Sequence, residues 1–102
     1  MISVYKILTE TQFEQFKVQG IFAGSALDLE DGFIHLSTEN QVSDVIKRYF
    51  KNAGPVYVIE FAANGFGDNL VFEASTNGDM YPHLYHVPLN FSEHKSIRTV
   101  AN

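Results

Sequence analysis

With 102 residues, 45 % of them hydrophobic and 14 % aromatic, the chain is long enough for one domain with a packed core and too apolar for disorder. It has no cysteine, which excludes disulfides, thiolate metal sites, iron–sulfur clusters and thiol catalysis. Seven Lys plus Arg against 12 Asp plus Glu leave a net charge of −5, which argues against nucleic-acid partners, whose binding rests on many Lys/Arg–phosphate contacts. A small anion held by a few local donors remains compatible with that balance.

The N-terminal Met1-Ile2-Ser3-Val4-Tyr5-Lys6 lacks a charged region followed by an apolar one. No apolar run approaches the roughly 20 residues that span a bilayer. The expectation is a cytoplasmic protein with no membrane partner, a single domain over 1–102.

Ile2 to Leu8 is rich in β-branched and aromatic residues and predicts a first strand. Thr9-Glu10-Thr11-Gln12 has the spacing of a capping box, opening a short helix with Phe13 and Phe16 inside and its end near Gly20. Gly20 to Gly32 reads as irregular and acidic, with Asp28, Glu30 and Asp31. In the next strand, Phe33 to Ser37, period-2 alternation places Phe33, His35 and Ser37 on one face and Ile34 and Leu36 on the other. Thr38-Glu39-Asn40-Gln41 is a second capping box, and Val42, Val45, Ile46, Tyr49 and Phe50 then form a helical stripe. Val56 to Phe61 predicts a central strand, Asn64 to Asp68 a loop, Leu70 to Ala74 a strand and Thr76 to Asp79 a turn. Pro82 and Pro88 demote the segment that follows to loop or edge strand, and Ser96 to Val100 closes the fold as a strand. The pattern indicates an α+β domain of about five to six strands, mostly antiparallel, with two main helices.

Four histidines, His35, His83, His86 and His94, concentrate the chemistry. His35 precedes a helix N-terminus and could donate to a phosphate or a ribose hydroxyl; from residue type alone the commoner role is a half-buried residue pinning its strand. Tyr81-Pro82-His83-Leu84-Tyr85-His86 could form an aromatic wall for a nicotinamide or base, or simply a packed loop. Glu73 sits on a semi-apolar strand, where a raised pKa would suit acid–base or oxocarbenium-stabilising work, unless it points outward into solvent. His83 and His86, with Glu73, lack the spacing of a strong metal motif, so no metal is expected. His35-Leu36-Ser37 and His94-Lys95-Ser96 are both His-x-Ser, a pairing that resembles the two-histidine phosphoesterases.

The order Val4-Tyr5-Lys6-Ile7, then Asp31-Gly32-Phe33-Ile34-His35-Leu36-Ser37-Thr38 with Gln41, then Tyr81-Pro82-His83-Leu84-Tyr85, resembles domain-of-unknown-function family 952 over nearly the whole chain. The resemblance implies a compact relative of the ADP-ribosyltransferase fold. The stretch from Gly20 through Ser37 is also similar to a block of RNA 2′-phosphotransferases. By that resemblance His35, Glu73 and His83 are the catalytic candidates, and Tyr5, Lys6, Ser37, Thr38, Gln41 and Tyr85 line a nucleotide cleft. NAD is the implied substrate or ligand, with no cofactor firmly required. The phosphotransferases' Arg-His-His-Arg set has no counterpart, since only Arg48 and Arg98 are present; an arginine common in relatives is Thr76 here. The alternative expectation is therefore a binding module that keeps the cleft without the chemistry.

Overall fold

The computed structural model describes residues 2–102 and contains eight strands and three α-helices. In chain order these are β1 (Ser3–Thr9), α1 (Glu10–Gln19), β2 (Ile21–Phe22), α2 (Ala26–Asp31), β3 (Ile34–His35), α3 (Val42–Tyr49), β4 (Val56–Ala62), β5 (Leu70–Ala74), β6 (Met80–Leu84), β7 (Leu89–Asn90) and β8 (Ser96–Val100). The strands form three antiparallel sheets, ordered β1-β4-β8, β2-β7 and β3-β6-β5. The α+β class is as the pattern indicated, with more strands and one more helix than expected.

The near-continuous apolar run of β4 is explained by burial on both faces, since it is the central strand of its sheet. Ile59 and Phe61 join Val4, Leu8, Phe13 and Phe16 in the larger core. Val56 and Val58 face the other way, against Tyr5, Ile7 and the α3 residues Val42 and Ile46. The Thr9 capping box is formed: the Gln12 N–H donates to Thr9 Oγ1 and the Thr9 N–H to Gln12 Oε1. It fixes α1 so that Phe16, 1 % exposed, meets Phe91 edge-on with ring centroids 5.2 Å apart. Phe13 stacks on Tyr57 at 4.2 Å. Tyr49, assigned to the buried stripe of α3, is exposed.

Two expectations are corrected. The segment from Gly20 to Gly32 is not irregular but holds β2 and α2. Ser25 caps α2 through a reciprocal pair with Asp28, and Gly32 ends it at φ +85°, a left-handed position that glycine adopts without a Cβ penalty. Pro82 does not mark a loop or an edge: it lies inside β6, the central strand of its sheet, between β3 and β5. The physical reason lies in the β3 ladder. The Pro82 carbonyl accepts from the Leu36 N–H at 3.0 Å, but proline has no N–H to return, so the regular ladder stops at His35. The chain then crosses to β1, where Ser37 and Tyr5 exchange two backbone hydrogen bonds of 2.8 and 2.9 Å. That crossing joins the two three-stranded sheets and leaves His35 at the end of β3, beside α2.

Candidate functional site

The pairing of β3 with β6 sets His35 directly opposite His83, so both side chains leave the same face of the sheet. Their rings meet edge-on with centroids 5.7 Å apart. Phe33, two residues before His35, stacks on His83 at 4.0 Å and lies 5.3 Å from Tyr85. Glu73 on β5 is the diagonal neighbour of His83, because Val71 pairs with His83 and Glu73 with Tyr81. Glu73 Oε1 accepts from the Tyr85 hydroxyl at 2.6 Å and from His83 Nδ1 at 2.7 Å. An ionised carboxylate only accepts, so the shared proton sits on His83 Nδ1. The Tyr85 and His83 hydrogen bonds hold the Glu73 pKa below its ordinary value, against a smaller upward push from desolvation. That reverses the raised pKa expected from the strand's composition. Tyr85 is pushed up in turn by the same carboxylate.

Beneath His35 lies a buried charged network. Asp28, 2 % exposed, accepts from Lys6 Nζ and the Ser25 N–H through Oδ2, each at 2.9 Å. Its Oδ1 accepts from the His35 N–H at 3.0 Å and faces His35 Nδ1 at 2.6 Å. Burial alone would raise the Asp28 pKa, but the His35 hydrogen bond, the Lys6 charge and the two backbone N–H groups outweigh it and hold the carboxyl well below the usual range. Burial pulls the Lys6 ammonium down, opposed by Asp28. Lys6 Nζ also donates to the His35 carbonyl at 3.0 Å. On the outer side, His35 Nε2 meets Asp31 Oδ2 at 2.9 Å.

The structure thus brings together the three catalytic candidates, His35, Glu73 and His83, with Tyr85 among the binding candidates. It does not bring Tyr5, Ser37, Thr38 or Gln41 to them. Tyr5 and Lys6 are adjacent on a strand and must face opposite ways. Lys6 takes the site side, where it is buried on Asp28, while Tyr5 packs with Ile7 and Ile46 under Arg98. Ser37 is buried at the sheet junction. The Thr38 N–H donates to Gln41 Oε1 and Gln41 Nε2 to the Met80 carbonyl, so both tie the start of α3 to β6. His94 packs on Phe91 with ring centroids 4.6 Å apart, and Ser96 on β8 donates to Glu60 on the neighbouring strand β4. Ser37 pairs with β1 and Ser96 lies on β8, so the two His-x-Ser segments meet opposite edges of the β1-β4-β8 sheet.

Sequence reasoning missed Asp28, Asp31 and Phe33 as members of this cluster. The readable signal was Ser25-x-x-Asp28, the spacing of a cap, followed by an acid one helical turn later at Asp31. An open groove of about 420 Å³ adjoins the cluster and shares Phe33 and Asp28 with it; Leu29, Ile34, His86 and Pro88 also line it. Among the described residues, no helix is long and apolar enough to cross a membrane.

Comparison with solved structures finds the same fold in a known protein. The crystal structure of protein CC0527 from Caulobacter crescentus is 38 % identical, with a TM-score of 0.88, covering 95 % of this chain and 84 % of that one. A crystal structure of a double mutant of the same protein gives 0.87 at the same identity and coverage. Its solution NMR structure gives 0.85, also at 38 % identity, over 99 % of this chain and 86 % of that one. No curated protein matches the sequence. The family described as protein of unknown function (DUF952) matches residues 7–96, which include the strands bearing His35, Glu73 and His83, and the chain belongs to that family.

Proposed function

We propose that the protein binds NAD or a related nucleotide across the face formed by Phe33, His35, His83 and Tyr85, on an ADP-ribosyltransferase-like domain, and transfers its ribosyl group. The observation that carries the reading is Glu73, a carboxylate kept ionised by Tyr85 and His83, on the same sheet face as the His35–His83 pair and the Phe33 ring. In ribosyl transfer the bond between ribose C1′ and the nicotinamide nitrogen breaks, and its electron pair leaves with neutral nicotinamide. The oxocarbenium-like carbon then takes an acceptor oxygen or nitrogen, which loses its proton. A fixed negative charge beside the developing cation is the electrostatic term such a step needs most. Phe33 and Tyr85 offer aromatic surface for the pyridinium ring, a contact favourable for a cation. His35 holds a ribose hydroxyl or a phosphate.

The test is nicotinamide release from NAD by purified protein. Turnover that falls about 100-fold or more in Glu73→Gln, with binding retained, is the expected result. Absence of both NAD binding and turnover contradicts the reading. A second reading, binding without transfer, is favoured by one observation: Lys6 is committed to Asp28 and Arg98 to Glu39, at 2.9 and 3.3 Å, so neither stands ready to clamp a pyrophosphate. It predicts NAD binding with no nicotinamide released.

A further inference from the structure

His35 lies between two carboxylates from the same helix that are held very differently. Asp28, on its inner nitrogen, is 2 % exposed and fixed by four hydrogen bonds. Asp31, one helical turn later on its outer nitrogen, has 41 % of its side chain exposed, and its carboxylate's partner is His35. The backbone under Asp31 is anchored, because the Gly32 N–H donates to the Asp28 carbonyl at 2.9 Å. Only the Asp31 side chain has to turn for the outer nitrogen to be released. The two ring nitrogens thus each face a carboxylate oxygen, Asp28 Oδ1 at 2.6 Å on Nδ1 and Asp31 Oδ2 at 2.9 Å on Nε2.

We propose that Asp31 is a gate: its carboxylate occupies the place where a ligand's phosphate oxygen would accept from His35 Nε2, and the phosphate enters by displacing it. The proposal rests on the nucleotide reading above for the identity of the natural ligand, while the gate can be probed with a phosphate that carries no nucleoside. An entering anion meets two obstacles at Asp31, a donor already occupied and a negative charge beside the path. Removing the carboxylate lifts both, whereas a residue that merely supported the fold would not tighten binding when lost. A ligand without an anionic group, such as nicotinamide, gains nothing from the removal. Asp31 therefore biases the site against anions too weak to exchange with it, and selects those that bring further contacts to Phe33, His83 or Tyr85.

The experiment is a titration of wild type, Asp31→Asn, Asp31→Ala and His35→Gln with inorganic phosphate and, separately, with NAD. Affinity is read from the ring nitrogen and carbon NMR shifts of the histidines, at one fixed pH for every variant. The gate predicts phosphate binding tightened about fivefold in both Asp31 variants, the size of a solvent-exposed ion pair, with the shifts centred on His35 and lost in His35→Gln. Unchanged or weaker phosphate binding in both Asp31 variants overturns it. The two ideas fail separately. Tightened phosphate binding without any NAD response keeps the gate and removes the nucleotide reading. NAD binding at His35 that is equal in wild type and both Asp31 variants keeps the nucleotide reading and removes the gate.

Discussion

Asp28 carries more of the site than any other single side chain, because it is the one group that touches Lys6, α2's cap and His35 together. Replacing it with Asn leaves the Lys6 ammonium buried without a countercharge, and losing one member of a buried ion pair costs roughly 3–5 kcal/mol. Denaturant unfolding of Asp28→Asn checks this, and Lys6→Met in the same chain is expected to recover part of the loss. The Asp28 carboxyl also sets an acid limit. Its pKa is lower in the folded than in the unfolded state, so its stabilising contribution is complete above the unfolded value of about 3.9 and is lost as pH falls through the folded one. The folded protein is thus expected to lose stability below about pH 4, measurably less so in a Lys6→Met/Asp28→Asn chain. At Glu73 the largest influence is the Tyr85 hydroxyl, which favours the ionised form. In Tyr85→Phe the Glu73 carboxyl is expected to titrate at higher pH than in wild type, read from its carbon-13 shift; an unchanged titration contradicts that hydrogen bond.

At the scale of elements, the fold was legible where periodicity and packing agree. β5 and β8 fall on the expected residues, and the Thr9 box opens α1 where it was read. α2 was not legible, and its composition explains why. Its leucines, Leu27 and Leu29, are exposed, and the residue it sends inward is the carboxylate of Asp28. A reading that looks for an apolar inner face cannot find a helix whose inner face is an acid satisfied by Lys6. Pro82 misled for a related reason: the missing N–H is tolerated inside β6 because β3 ends its ladder at that point. The short α2 depends on its ends. Gly32→Ala places a side chain at φ +85° and is expected to cost about 1 kcal/mol, and Ser25→Ala a similar amount through the lost cap. Both are checked by denaturant midpoints. Because the same helix presents Asp28 and Asp31, either change should also broaden the His35 ring signals, whereas Val18→Ala on the exposed side of α1 should leave them as they are.

For the molecule as a whole, the candidate site was legible in its types and only half legible in its membership. His35, His83, Glu73 and Tyr85 were chosen on residue chemistry and on a family resemblance, and cross-strand register brings them to one face. Tyr5, Ser37, Thr38 and Gln41 came from the same resemblance, which does not report which face of a strand a residue takes once the strand ends and the chain changes sheets. The net charge of −5 finds a local counterpart in Asp31 and Glu73 at the rim of the site, a setting that suits a cationic pyridinium better than a free polyanion. The most direct test of the central claim is an NMR titration of isotope-labelled protein with NAD, ADP-ribose and nicotinamide, with His35→Ala as the control. The account predicts shifts for NAD concentrated on Phe33, His35, Glu73, His83 and Tyr85, and their loss in the control. No shift at millimolar NAD, or shifts confined to the Tyr5–Ser37 junction, would contradict it.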